Sequence, residues 1–365
     1  MSGLLTPYLS LNLDVLEKNI QNMARKAKEK GVKLRPHIKA HKMPQIALLQ
    51  MEAGAVGVTV ATLGEAEVMI AAGIEDIFVA CQIVGKEKIL RLLDLAEKAR
   101  ISVAVDSRKN AAELNEWAGT RKVKVPVMIE IDTGLNRCGL LPGSQVIEFV
   151  KELRQFPHLK VVGLFTHAGQ AYGSSPERIP EIGLEEGRQM VEIASSLKDI
   201  GMEGLEISVG STPTALFNLQ VPGITEIRPG NYVFYDAIQV GLKVAGMEQC
   251  ALQVVSTVIS KPAHDRLVID AGSKTFALDK GAHGLSVVQG FGIIRGYPHL
   301  LLERLSEEHG IIKVQGEGPL PELGDELCII PNHACTAVNL ANEVVVMKNG
   351  FVYDKWPVAA RGLVQ

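Results

Sequence analysis

The feature that most constrains this chain is a rhythm. Short apolar runs alternate with amphipathic stretches over the first three-fifths of the sequence. Residues 15–28 place Val15, Ile20, Met23 and Ala27 at helical spacing, behind Asp14 as an expected N-cap. Gly31 closes that helix, and residues 32–35 read as a strand. Strand-like runs recur at 56–60, 77–80, 102–105, 125–131, 161–166, 205–209 and 225–228, with helical stretches such as 46–53 and 63–72 between them. That makes about eight β segments, the number a closed (β/α)8 TIM barrel needs. An open doubly wound sheet has the same local crossovers and is the rival α/β fold. The count favours the barrel.

After residue 245 the pattern changes. Residues 254–259, 266–269, 287–290, 311–314, 326–330, 343–347 and 350–353 read as short strands between Gly and Pro turns, and only 300–308 reads as helix. The expected organisation is a barrel over 1–245 and an all-β unit over 246–365. Residues 7–13 also alternate, so 1–13 is a candidate strand lent to the β unit.

At 365 residues the chain exceeds one average domain. A formal charge of −3 provides no global basic field for nucleic acid or an anionic membrane. No apolar run approaches the roughly 20 residues of a membrane-spanning helix. The first residues carry no basic n-region before an apolar run, so no secretory leader is expected. The five cysteines are odd in number and none pair at CxxC spacing, which points to a reducing, cytoplasmic compartment.

In a barrel of this kind chemistry sits at the C-terminal ends of the strands. The unusual residues fall there: Arg35 to Lys42, Cys81 and Gln82, Asp132 to Arg137, His167 to Tyr172, Gly210 to Thr214, and Arg228 to Tyr232. The Gly210-Ser211-Thr212 turn follows the seventh strand and Gly230-Asn231 the eighth. Backbone N–H groups in that gap suit a phosphate. The plain structural alternative is an N-cap with Pro213 near the first helical position. Lys39 stands among His37, His41 and Lys42, whose charges would lower its pKa and favour a free amine; a solvated basic loop is the alternative. In the β unit His333 and Cys335 form a His-x-Cys pair. On a strand their side chains share a face and suit Zn²⁺, leaving coordination positions open. A buried histidine and an apolar cysteine would read the same way.

The segment Arg35-Pro36-His37-Ile38-Lys39-Ala40-His41-Lys42 resembles the cofactor-lysine motif of the D-serine dehydratase/D-threonine aldolase family. These are fold-type III pyridoxal-phosphate enzymes related to alanine racemase. The resemblance spans essentially the whole chain. It implies a barrel followed by a β domain, and a homodimer. It implies pyridoxal 5′-phosphate on Lys39 as Schiff-base lysine, with His41 and Tyr172 as catalytic partners. Arg137 would lie near the cofactor ring, Gly210, Ser211, Thr212, Gly230 and Asn231 would cup its phosphate, and His333 and Cys335 would hold Zn²⁺ or another divalent cation. Dehydratases of the family resemble His-x-Cys, whereas bacterial D-threonine aldolases tend to His-x-Asp. Ala40 stands where threonine is common, and Gln170 where histidine is. Arg228 looks like the alanine racemase arginine that faces the pyridine nitrogen. The implied activity is dehydration of a D-3-hydroxy amino acid to a 2-oxo acid and ammonia. Retro-aldol cleavage, racemisation and a non-catalytic pyridoxal-phosphate carrier are the alternatives. A carrier of this broad fold is expected to lack the β unit.

Overall fold

Eight parallel strands follow one another around a single sheet: β2 (Lys33–Leu34), β3 (Val58–Val60), β4 (Asp76–Gln82), β5 (Arg100–Val105), β6 (Val125–Glu130), β7 (Leu159–Phe165), β8 (Glu206–Val209) and β9 (Glu226–Ile227). The computed structural model describes residues 3–281 and 288–365. The sheet runs β2-β9-β8-β7-β6-β5-β4-β3. Its ends meet through a parallel bridge between His37 and Thr59, where the Thr59 N–H donates to the Pro36 carbonyl at 2.7 Å. The strands are buried on both faces, as parallel sheets require. Phe78, Ala104, Met128 and Phe165, from four successive strands, form one buried cluster. Their chain neighbours Ile77, Val79, Val103, Val105, Val127, Ile129 and Leu164 belong to the larger core shared with the helices. Alternation along a strand sends the two sets to opposite faces, so the first set fills the barrel.

A second, mostly antiparallel sheet contains β1 (Tyr8–Asn12) with β10 (Leu252–Ala263), β11 (Arg266–Ile269), β12 (Gly292–Ile294), β13 (Leu300–Leu305), β14 (Gly310–Val314), β15 (Glu326–Pro331), β16 (Glu343–Lys348) and β17 (Phe351–Pro357). This is the alanine racemase-like arrangement. Strand β1 pairs antiparallel with β10 and parallel with β16. It then runs straight into the first barrel helix, Leu13–Glu29. Asn12 ends the strand and caps the helix, accepting from the Val15 N–H at 3.1 Å. Asp14 is therefore not the cap; its carboxylate accepts from the Asn349 N–H instead.

Two further expectations change. Residues 300–308 are not helical: β13 pairs antiparallel with β14. Leu300 and Leu302 are buried at period two, each worth about 1.5–3 kcal/mol of apolar burial. The leucine-rich run is thus read by its tertiary partner rather than by propensity. The strand expected over 287–290 falls partly outside the described residues; Val288 to Gly290 are bends and a turn, and the strand is β12. No helix among the described residues is long and apolar enough to cross a membrane.

Candidate active site at the barrel mouth

The loops after the barrel strands enclose a cavity of about 650 Å³. Lys39, Arg137, Tyr172, Ser211, Thr212, Arg228, Gly230, Asn231, His333 and Cys335 all line it. Lys39 and Cys335, 296 residues apart, therefore share one space.

Lys39 sits in a short 3₁₀ turn, Ile38–Ala40. It is reachable through the open cavity yet ringed by protein. Its pKa is lowered first by burial and further by the Arg137 and Arg228 charges, against Cys335 and Glu65, which raise it. The expected cause was different. His41 is fully buried and does not line the cavity: its Nδ1 accepts from the Met43 N–H at 3.1 Å and its Nε2 lies 3.3 Å from Gln50. Burial depresses its pKa to about 4, so it carries no charge near neutrality. Lys42 is held by Glu65 at 3.2 Å. The expectation of a catalytic His41 thus has no geometric support. The imidazole beside the amine is His37, whose pKa burial and the Lys39 charge hold well below its ordinary value.

The cradle is built by close approach. The helix Ile179–Lys198 presents Gly183, Glu186 and Gly187 on one face, at i, i+3 and i+4. A Cβ on Gly183 would meet Phe217 at 2.8 Å, and one on Gly187 would meet Val221 at 2.9 Å. The helix therefore lies directly against the segment after β8. Glu186, 1 % exposed, accepts from the Gly210 N–H and from Asn218 Nδ2, both at 3.0 Å. Burial raises its pKa. The Ser211 N–H is already taken by Thr214 Oγ1 at 3.0 Å. The helix that follows has only four residues, Ala215–Asn218, so its dipole adds little. The amides of Thr212, Gly230 and Asn231 donate to no acceptor among the described residues, which suits a phosphate. Thr212 Oγ1 accepts from the Tyr232 N–H at 3.1 Å and joins the two turns.

Arg228 is 5 % exposed, with its guanidinium over Phe78 at 5.6 Å and Phe165 at 5.2 Å. One terminal nitrogen donates to the Thr166 carbonyl, while its Nε has no partner. An unpaired buried donor in a cavity calls for an acceptor such as a ring nitrogen. Tyr172 hydrogen-bonds Gln239 and Thr212, and burial raises its pKa, so its hydroxyl stays protonated.

His333 and Cys335 do not lie on a strand. Strand β15 ends at Pro331, and Cys335 is the second residue of the helix Ala334–Leu340. The pair still comes together, through a turn rather than a pleat: both side chains line the one cavity. Asp279 Oδ2 lies 3.0 Å from His333 Nδ1 and accepts from Thr336 Oγ1 at 2.7 Å. That leaves Nε2 for a metal, the usual carboxylate–histidine arrangement. The donor set therefore fits a thiolate- and imidazole-binding divalent cation. Asp106, Glu130 and Cys138 are another group with ligand atoms within 4.8 Å of one another. Gln82 Nε2 already bridges its carboxylates, at 3.0 Å from Asp106 and 2.5 Å from Glu130. Asp236, Asp279, Glu186 and Glu130 were not singled out from sequence. Gly183-x-x-Glu186-Gly187 alone carried a readable sign, small residues flanking a charge on one helix face.

The family described as "Alanine racemase, N-terminal domain" matches residues 11–237, and "Putative serine dehydratase domain" matches residues 251–347. A D-threonine aldolase from Arthrobacter sp. is 34% identical over 98% of this chain and 93% of its own length. A D-threo-3-hydroxyaspartate dehydratase from Delftia sp. is 33% identical, covering 90% of each chain. The solved D-threonine aldolase from Filomicrobium marinum superposes with a TM-score of 0.91 at 32% identity, covering 100% of this chain and 97% of that one. The chain belongs to the D-serine dehydratase/D-threonine aldolase family, lyases built on the alanine racemase-like fold.

Proposed function

We propose that this protein uses pyridoxal phosphate and a divalent metal, preferentially Zn²⁺, to dehydrate a D-3-hydroxy amino acid resembling D-serine. The net change is loss of the Cα hydrogen and the β-hydroxyl as water, then hydrolysis to a 2-oxo acid and ammonia. One observation carries the reading: Lys39, the free amides of Thr212, Gly230 and Asn231, and the His333–Cys335 pair line a single cavity.

When bound, the cofactor supplies the electron sink that labilises bonds at Cα. Lys39 would hold it, with Ser211, Thr212, Gly230 and Asn231 around its phosphate, Arg228 Nε toward its ring, and Arg137 at its rim; Gly210, expected in this cradle, lies outside the cavity lining and gives its N–H to Glu186. A metal held by His333 and Cys335 would supply Lewis acidity toward the substrate hydroxyl. A solved cysteine-to-alanine mutant of a D-threo-3-hydroxyaspartate dehydratase, 31% identical to this chain, is in the metal-free form, which supports that assignment by likeness. The amine of Lys39, with its lowered pKa, takes the Cα proton. Tyr172, kept protonated and anchored by Gln239 and Thr212, would donate its hydroxyl hydrogen to what binds in the cavity. The hydrophobic walls Ala80, Phe165 and Ile238 limit water around the reacting carbon. Cys335 favours dehydration, since the family's dehydratases resemble His-x-Cys.

Retro-aldol cleavage is the second reading, favoured by the likeness to two D-threonine aldolases. A panel of D-3-hydroxy amino acids, offered to the metal-loaded holoenzyme, separates the readings by product. A 2-oxo acid and ammonia support dehydration. Glycine and an aldehyde would replace it with the aldolase, and an L-isomer with a racemase. Borohydride should fix the cofactor to Lys39; recovery of the label on Lys42 would overturn the lysine assignment.

A further inference from the structure

Asp236 is not needed by the chemistry above, yet it is 1 % exposed and touches both halves of the site. It follows Tyr235, a non-glycine residue at φ 47°, so the chain turns sharply to aim this carboxylate inward. Its Oδ1 accepts from the Gln239 N–H at 3.1 Å and caps the short helix Ala237–Gly241. A cap needs no more than that. Its Oδ2 does something else: it accepts from Asn231 Nδ2 at 2.7 Å and from the Ala334 N–H at 3.0 Å. Asn231 belongs to the phosphate cradle, and Ala334 is the residue between His333 and Cys335. Asn231 Nδ2 also lies 3.8 Å from Cys335 Sγ. The Ile238 N–H donates to the Asn332 carbonyl at 3.2 Å, a second tie at the same joint. On the cradle side Thr212 Oγ1 accepts from the Tyr232 N–H, so both cradle turns move with this network.

We propose that Asp236 is a positioning residue that locks the phosphate cradle to the His333–Cys335 turn, so that cofactor and metal each tighten binding of the other. The inference rests on the cofactor and metal assignment of the proposed function. Its physical basis is linkage. A ligand that orders the Asn231 side chain orders Asp236 Oδ2, and through it the backbone from which both metal ligands project. A second ligand then meets a turn whose ordering cost is already met. Linkage makes the effect reciprocal and equal in both directions.

The test is a titration of the apoprotein with Co²⁺, read by its cysteine-thiolate absorption, with and without pyridoxal phosphate. The cofactor should tighten Co²⁺ binding by about 5-fold or more, and Co²⁺ should tighten cofactor binding by the same factor. In Asp236→Asn an amide would face the two donors, and the coupling factor should fall to about one. Asn231→Ala removes only the side-chain arm, leaving the helix cap and the residue-231 amide in place. It should abolish the coupling too, and it carries the test if Asp236→Asn does not fold. A wild-type coupling factor of one, or an undiminished factor in a folded variant, would overturn the proposal. A wild type that takes up both ligands independently overturns only the coupling. One that takes up neither overturns the proposed function and this inference together.

Discussion

Gly230 offers a sharp test of how the cradle is held. Its position lets the loop after β9 pass against the loop that carries Lys39, where the His37 N–H donates to the Pro229 carbonyl at 3.1 Å. A Cβ added at Gly230 would lie 2.8 Å from the His37 carbonyl oxygen and 3.2 Å from its Cβ. Ordinary contact begins near 3.4 Å, so the two backbones must part by about 0.6 Å, and no flexible side chain can absorb it. Overpacking of this sort costs about 1–3 kcal/mol. Unfolding entropy of about 2.1 cal/mol/K per residue over 365 residues gives about 0.8 kcal/mol per degree, so the melting temperature of Gly230→Ala should fall by roughly 1–4 °C. The matched control is Gly316→Ala. It adds the same methyl at an exposed site, 3.6 Å from the His299 Cβ, and should change stability by no more than about 0.5 kcal/mol. The displaced cradle should also weaken cofactor binding, about tenfold if 1.4 kcal/mol of the strain appears only in the bound state. Thermal melts of the two apoproteins and a cofactor titration decide it. Equal melting temperatures and equal cofactor affinities for the two variants would refute the close-approach argument.

Three other outcomes follow from the geometry. Glu186 has its folded pKa raised by burial, so its ionisation costs stability that a glutamine would not lose. Wild type should therefore lose stability relative to Glu186→Gln as pH rises above the ordinary carboxylate value of 4.5 through the raised folded value; denaturant melts across pH that show a constant difference would contradict this. Asp279→Ala should weaken Co²⁺ binding about 10–100-fold by releasing His333 Nδ1, while leaving cofactor uptake unchanged, and unaltered metal affinity in a titration would count against Asp279 as the orienting carboxylate. Cys335→Ala should abolish turnover of the metal-loaded enzyme but leave cofactor absorption intact, whereas Cys250→Ala, in a buried site outside the cavity lining, should keep turnover; a fully active Cys335→Ala would remove the metal from the mechanism.

The barrel was legible because its strands are buried on both faces and so read as continuous apolar runs, each followed by a burst of polar residues. That pattern also located Lys39, Arg137, Tyr172, Thr212, Arg228 and Asn231, all of which line the cavity. Local readings failed where a tertiary partner decides. Leu300 and Leu302 became strand because β14 lies alongside. His333 and Cys335 met through a helix start, which their i, i+2 spacing does not announce. His41 is two residues from Lys39, yet it turns to Gln50 because the 3₁₀ turn reverses the chain between them. The carboxylates of Glu186, Asp236 and Asp279 escaped notice for one shared reason. Each acts through a partner 24 to 98 residues away, and no spacing rule spans that distance.

The same cavity bears on the choice between elimination and retro-aldol cleavage. Elimination needs a base at Cα and a proton donor or Lewis acid at the departing hydroxyl. Retro-aldol cleavage needs a base at the hydroxyl itself. Burial holds Tyr172 protonated, so it donates. His37 is neutral, and its Nδ1 faces the Lys39 N–H at 3.4 Å, which places the ring proton on Nε2 and makes that edge a donor too. The amine of Lys39 is the base whose pKa burial lowers. A base at Cα with the Tyr172 and His37 donors in the same cavity is a distribution that suits expelling a hydroxyl, and it supports the proposed dehydration.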